Sequence, residues 1–493
     1  MKHILSYFIL AVFASLCTSC SPSASEPQSA TSIDQLPDIF PDYVDVTIPP
    51  EIAPLRFKLR HVPEEAIVSI SCGEEKIVCE ASDEKGFLID ESQWSEMLEE
   101  AVGKELEVKV YEKKGDHWQM YLPFHWYVSS DSMDPYLVYR LLEPGYEIWN
   151  EMGIYQRRLV DFEQTAVISN HLTGHNCINC HSFPNQDPNR MVLHMRGKGG
   201  GTYLFHSGDI TKLNGKVSDQ IPSLVYPSWH PSGDYIAFST NQTRQAFHFN
   251  DKNRIEVMDY TSDVLLYDVK KNEVMTVPQL FSDKAFETFP HFSPDGKTLY
   301  FCSSEAQKMP EDFQKVKYSL CSVSFHPETR TFGNQVDTLF NGKEVDKSVS
   351  FPRVSPDGKF LVFTLSDYGN FSIWHQEADL YLANLQDGTV TPLDAANSNN
   401  VESYHSWSSN SRWLVFSSRR IDGLYTHPHL IHIDAEGKAS KPFILPQKDA
   451  TFYSSYMQSF NIPEFVKGPV EYSTHDIANS TLEQGKIIDL ASE

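Results

Sequence analysis

The chain has 493 residues, 12% of them aromatic, and a formal net charge of −25. That length leaves room for two or three domains with ample cores. The charge excludes nucleic acid as a partner, because phosphates are repelled, and excludes a broad electrostatic grip on anionic lipid. The aromatic share suits a β-rich fold.

Residues 1–20 read as an export signal. Lys2 and His3 open it, and Ile4 to Leu16 is apolar apart from Ser6 and Ser15. Such a run is too short to span a membrane but suits a signal peptide. Leu16-Cys17-Thr18-Ser19-Cys20 follows, then a polar stretch from Ser21 to Ser29. These residues resemble a bacterial lipoprotein signal, in which the cysteine after small residues takes a lipid and becomes the N-terminus. The resemblance implies Cys20 as the lipidated residue, since Ser19 before it is small and Leu16 before Cys17 is not. Cys17 stands where that family usually has Leu. An ordinary cleaved signal with incidental cysteines is the alternative. The implied location is the cell envelope, at the periplasmic face or the outer-membrane surface. The mature chain then hangs from a membrane through its lipid and faces an oxidising compartment.

Residues 21–40 are polar and aperiodic, as expected of a tether. Residues 41–130 change to period-two alternation, in Val44 to Ile48, Leu55 to Leu59, Glu105 to Tyr111 and His117 to Leu122. Alternation of this kind predicts strands with one wet face, with one short helix from Ser92 to Val102 between them. An immunoglobulin-like β-sandwich is the simplest reading, as a spacer without chemistry. Residues 131–175 form a connector whose Tyr136, Tyr139, Tyr146, Trp149 and Tyr155 are expected to pack the sandwich onto the next domain.

Residues 176–470 repeat. Tyr226-Pro-Ser-Trp229-His-Pro-Ser-Gly233, Phe289-Pro-His-Phe292-Ser-Pro-Asp-Gly296 and Phe351-Pro-Arg-Val354-Ser-Pro-Asp-Gly358 are three copies, each followed by an apolar strand. Tyr404-His-Ser-Trp407-Ser-Ser-Asn-Ser411 is a degraded fourth. Proline presets φ in the turn and glycine accepts its left-handed position. Four strands per unit of roughly fifty to sixty residues predict propeller blades. Tyr453 to Phe465 supplies a further first strand, and Cys180-His181-Ser182-Phe183 aligns as another, which gives about six blades. The copies resemble the WD-like repeat of TolB-type periplasmic proteins. The fold class is therefore all-β, a sandwich followed by a propeller, with residues 471–493 as a C-terminal tail.

Eight cysteines are present. Cys17 and Cys20 belong to the signal. Cys72 and Cys79 flank a turn, and Cys302 and Cys321 fall in adjacent strands, so each pair is a candidate disulfide. Cys177-Ile-Asn-Cys180-His181 remains, and it is the spacing of a c-type haem site. Two thiols add to the two haem vinyl groups, and the next His reaches the iron. With eight cysteines and nineteen histidines, chance gives this pattern in on the order of 0.005 of such chains. The helical pattern of a small cytochrome c domain is missing around it. Candidate distal iron ligands are Met191, His194, Met195 and His175, each of which also reads as a packed strand residue. A structural or redox disulfide between Cys177 and Cys180, and a metal site with His171, His175 or His194, are the competing readings.

The glycine run Gly197 to Gly201 lacks phosphate-loop spacing and reads as a turn. His427, His429 and His432 read as structural histidines. No catalytic residue is identified. The leading expectation is a membrane-anchored propeller lipoprotein with covalent haem c, working in redox chemistry or electron transfer with a protein redox partner. The alternatives are a TolB-like envelope scaffold that holds a protein or glycan, with a structural CxxC, and a propeller polysaccharide lyase.

Overall fold

The computed structural model describes residues 24–143 and 150–491. The signal with Cys17 and Cys20, the connector residues Tyr146 and Trp149, and the side chain of Cys180 lie outside what is described. No helix among the described residues is long and apolar enough to cross a membrane.

Six sheets, each built on four antiparallel strands, form the blades of a β-propeller. Their inner strands are β1 (Cys177–Ser182), β2 (Val225–Trp229), β3 (Ala285–Phe292), β4 (Ser348–Val354), β5 (Glu402–Trp407) and β6 (Ser459–Val466). Each inner strand touches the next, and β6 touches β1, so the ring is closed. The repeat turns are fixed by a hydroxyl relay. Ser355 Oγ donates to Asp357 Oδ1 at 2.6 Å and accepts from the Phe360 N–H at 3.0 Å, while Gly358 takes φ 72°. In the degraded copy Ser408 makes the same bonds, and Ser411 occupies the left-handed position at φ 63°.

Residues 136–169 differ from their reading as a connector. Tyr136–Leu142, Met152–Arg158 and Gln164–Ser169 are the three outer strands of the blade whose inner strand is β6. Leu137 pairs with Phe465, more than three hundred residues later in the chain. No local pattern reveals a partner that far away. Joining the two ends of the propeller in one blade removes its open edge.

The N-terminal segment also differs in detail from the expected sandwich. Eight of its strands join in one hydrogen-bonded set, with parallel pairs such as Val46–Ile48 on Trp126–Val128. The helix Glu91–Ala101 buries Trp94, Met97 and Leu98 beneath it, capped by Asp90, which accepts from the Ser92 and Gln93 N–H groups. Its core is continuous with the propeller, since Trp94 and Trp126 belong to the same apolar cluster as Trp413, Phe443 and Phe460. The tail is docked as well. Ile477 and Ile488 are buried, and Asp489–Leu490 adds a parallel strand beside Glu273–Met275.

Cys72, Cys79, Cys302 and Cys321 are free thiols. Cys302 pairs with Leu320 and Cys321 with Phe301, so the two are one residue out of register and face opposite sides of their blade. Cys72 lies opposite Glu75, and Cys79 lies opposite Val68, four residues away.

Candidate functional site

Every inner strand slips register at the same place. In five of them the residue at the slip is Tyr226, Phe289, Phe351, Tyr404 or Ile462, with φ between 49° and 52°. Cys180 holds that place in β1 by sequence. The following residue is Pro227, Pro290, Pro352 or Pro463 in four strands, and His181 or His405 in the other two. Proline has no N–H for the ladder, so a bulge absorbs the break. A side chain in the left-handed region is strained by about 1–3 kcal/mol and persists only where its surroundings hold it. Here the surroundings are one another. Ring centroids are 4.5 Å apart for Tyr226 and Phe289, 4.0 Å for Phe289 and Phe351, and 4.8 Å for Phe351 and Tyr404. This aromatic cluster stands between two cavities on the propeller axis.

The larger cavity, about 540 Å³, opens where the inner strands begin. Cys177, Asn179, Val225 and Ser459 stand in its wall, and Tyr226, Tyr404 and Ile462 line it from the aromatic side. The blade of β2 adds a long hairpin, Tyr235–Phe247 and Ile255–Asp268, whose Gln245, Phe247 and Ile255 form one side. Buried polar contacts pin that hairpin. Glu256 accepts from the Tyr368 hydroxyl at 2.5 Å and lies 3.7 Å from His375, which pairs with Glu377 at 3.0 Å. Burial disfavours charge on His375, but Glu256 and Glu377 outweigh it and raise its pKa to about 9. Burial pushes Asp259, on the same hairpin, up to about 6 despite its bonds from Asn241 and Tyr318.

Three arginines line this cavity in a strongly acidic chain: Arg140, Arg196 and Arg419. Arg419 is 3% exposed, lies 3.5 Å over the Trp374 ring and donates to the Ile373 carbonyl at 3.0 Å. Burial lowers its pKa to about 9. The Arg140 Nε is buried with no hydrogen-bond partner. Glu143 and Glu151 share the wall, Glu143 accepting from Asn150 at 2.9 Å.

The sequence-predicted residues divide sharply. Cys177 is on the cavity wall, 4% exposed, and its sulfur accepts from the Asn179 amide at 3.2 Å. His181 is 2% exposed and lines neither cavity. Neither of its ring nitrogens makes a hydrogen bond of ordinary geometry. Burial lowers its pKa to about 4, against the nearby backbone of Val138 and Ile462, which favours the charged ring. Met191 and Met195 are buried in the apolar core of the β1 blade, and His194 bonds to the Thr202 hydroxyl at 3.1 Å. His175 is exposed, 5.1 Å from the ring of His171. None of these four lines the larger cavity, whereas Met152 does. The glycine run is a turn, as expected. A Cβ on Gly197 meets Asn176 Oδ1 at 2.4 Å, so the bare backbone lets that turn close over the residue preceding Cys177. His427 and His429 are buried on one strand, and His432 pairs with Asp131 at 2.8 Å.

A c-type haem needs two thiols, an imidazole, room, and charges to meet its propionates. Cys177, the cavity and its arginines fit. A buried imidazole with two orphaned nitrogens also fits, because each such nitrogen costs about 1–3 kcal/mol until a partner is supplied. His181 stands behind the wall formed by Ile462, not on it. The arginines were not found from sequence, since strands and loops of separate blades contribute them and no spacing links them.

No family profile matches the chain, and no curated protein matches it. Solved structures match the chain only distantly. A prolyl oligopeptidase B from Galerina marginata is 8% identical over 68% of this chain and 42% of that one, with a TM-score of 0.35. A DUF4784 family protein from Bacteroides caccae is 10% identical over 73% of this chain and 96% of that one, at 0.29. A GH43 endo-arabinanase from Bacillus licheniformis is 11% identical over 51% and 93%, at 0.30. The chain spans between 42% and 51% of two prolyl oligopeptidase B structures and a prolyl endopeptidase structure. Likenesses this distant carry no argument about activity.

Proposed function

We propose that this chain is an envelope-tethered, TolB-like propeller lipoprotein that holds a c-type haem against its larger axial cavity and serves redox chemistry or electron transfer there. The observation that carries this reading is the place of Cys177. The CxxCH motif begins on the wall of the larger axial cavity, which gathers Arg140, Arg196 and Arg419. Cys177 and Cys180 would hold the haem and His181 would offer its imidazole, with the arginines facing the propionates. The bound haem supplies reversible one-electron transfer. The chain's own part is to line the site with aromatic side chains and to place the Asn179 amide beside the Cys177 sulfur, which would carry one thioether bond. Lipid on Cys20 would keep the site near a membrane-bound redox partner or envelope ligand.

The arginines favour a second reading, a scaffold that binds an acidic glycan or protein segment in the same cavity and keeps the cysteines for structure. One experiment separates the two. The full chain is produced in cells that carry the haem c maturation machinery, and its pyridine haemochrome spectrum is recorded. A c-type band that disappears in Cys177→Ser supports haem, and a folded protein without the band supports the scaffold.

A further inference from the structure

The second axial cavity, about 260 Å³, opens where the inner strands end, on the far side of the aromatic cluster. Its floor comes from one column of the repeat, the second residue after each register slip. That column reads Ser182, Ser228, His291, Arg353, Ser406 and Glu464. Between a column of four prolines and two histidines and a column of large apolar residues, the three blades of β3, β4 and β6 place an imidazole, a guanidinium and a carboxyl around one axis. The rim is apolar and rigid, with Trp229, Trp407 and several prolines. Both indole N–H groups are already used, Trp229 on the Ser182 carbonyl at 3.2 Å and Trp407 on the Arg353 carbonyl at 3.1 Å; Trp407 is buried in the apolar core between blades, and the half-buried Trp229 offers its ring surface.

Arg353 is the odd member. It donates to the Pro352 carbonyl at 2.9 Å, and no carboxylate comes within 4.0 Å of it among the described residues. Glu464 does not approach it that closely and instead accepts from the Phe183 N–H at 3.2 Å. Burial raises the Glu464 carboxyl to about 8, against the charge of Arg353, and burial beside Arg353 and His405 keeps His291 neutral. At neutral pH the floor thus carries one net positive charge, one acid proton and three hydroxyl-bearing residues.

We propose that this cavity binds a monocarboxylate, with its carboxylate on the Arg353 guanidinium and its apolar body against Trp229 and the rim prolines. A single guanidinium matches a carboxylate through two parallel bonds. A dianion finds no second cation there. The ligand is a free organic acid or the C-terminal carboxylate of a polypeptide, and both present the same group to Arg353. The site is independent of the haem reading, because it lies beyond the aromatic cluster and shares no residue with the larger cavity.

The test uses the full chain and the intrinsic fluorescence of the rim tryptophans, with calorimetry as a second readout. The probes are 4-phenylbutyrate, the tripeptide Ala-Ala-Phe with a free C-terminus, and the same tripeptide as its C-terminal amide. Saturable binding of either acid without binding of the amide is the expected result. Phenylbutyrate alone identifies a free acid as the ligand type, and the tripeptide acid alone identifies a chain end. Arg353→Gln weakens binding at least about tenfold and Arg353→Lys weakens it less, since lysine keeps the charge and loses the fork. Affinity in the wild type falls as pH rises through about 8, where Glu464 ionises beside the ligand, and Glu464→Gln removes that fall. Equal binding of acid and amide, binding indifferent to Arg353→Gln, or no binding of any probe in the millimolar range overturns the proposal. The acid–amide contrast on the wild-type chain decides the matter if Arg353→Gln does not fold.

Discussion

The inner strand of the CxxCH blade and the inner strands of the other five are built to one plan and filled differently. Five carry a large apolar residue at the register slip, and four of these follow it with proline. That filling makes the axis dry and stiff. The aromatic cluster repays the backbone strain, and each fully buried ring adds about 1.5–3 kcal/mol. β1 has Cys180 and His181 at the same two positions, so by sequence no large apolar residue stands there, and the His181 ring nitrogens make no hydrogen bond of ordinary geometry. His405 shows that histidine alone does not produce this effect. It takes the proline place in β5 and its Nε2 reaches the Val362 carbonyl at 2.9 Å. The difference sets β1 apart from the other five inner strands, although His427, on an outer strand of the β5 blade, also keeps two ring nitrogens without a partner.

The largest expected effect breaks the comparison outright. Cys177→Ser with Cys180→Ser removes all covalent haem while the other five blades keep the propeller folded, as read by the haemochrome band and by circular dichroism. Phe351→Ala tests the opposite half. It deletes a ring shared by the two neighbouring blades and lowers stability by about 3–5 kcal/mol, measured by denaturant unfolding.

Acid sharpens the comparison next. His181 and His405 are held neutral by burial, with pKa values near 4 and 3, and His194 behaves likewise at about 3. An unfolded histidine titrates near 6.5. Below that pH the unfolded chain binds protons that the folded chain refuses, so stability falls as pH drops from about 6.5 toward 4. The haem-free protein should lose stability over that window in a pH-dependent melt. His375 runs the other way. Its folded pKa of about 9 gives stability present below 6.5 and lost as pH rises through 9, loosening the hairpin beside the larger cavity.

Smaller still is the contrast between the two histidines in haem-free protein. His181→Leu raises stability by about 1 kcal/mol, because it removes two unsatisfied nitrogens, whereas His405→Leu lowers it by about as much through its lost hydrogen bond. The smallest effect is none. Reductant leaves the melting temperature unchanged, since Cys72, Cys79, Cys302 and Cys321 are unpaired.

What the sequence revealed follows the range of the interactions involved. The Ser-Pro-Asp-Gly turns are local chemistry, and with Cys180 to Phe183 and the later half of Tyr453 to Phe465 they pointed to all six inner strands; the last begins only at Ser459, after the short helix Phe452–Ser455. The helix expected at Ser92 to Val102 lies at Glu91–Ala101. The closing blade stayed hidden because Tyr136–Leu142 finds its partner at the far end of the chain. The cysteine pairs misled because a one-residue offset puts Cys302 and Cys321 on opposite faces, and proximity in sequence carries no register. Arg140, Arg196 and Arg419 converge only after the ring closes. The His291, Arg353 and Glu464 column was present in the repeat itself, as the polar position between the proline or histidine and the large apolar residue that follows.

The most direct measurement is the intact mass, under denaturing conditions, of the full chain purified from cells with the haem c maturation machinery. A species heavier by one haem, lost in Cys177→Ser, is the predicted result. A folded chain whose mass contains no haem contradicts it, and leaves β1 as a structural departure from the repeat.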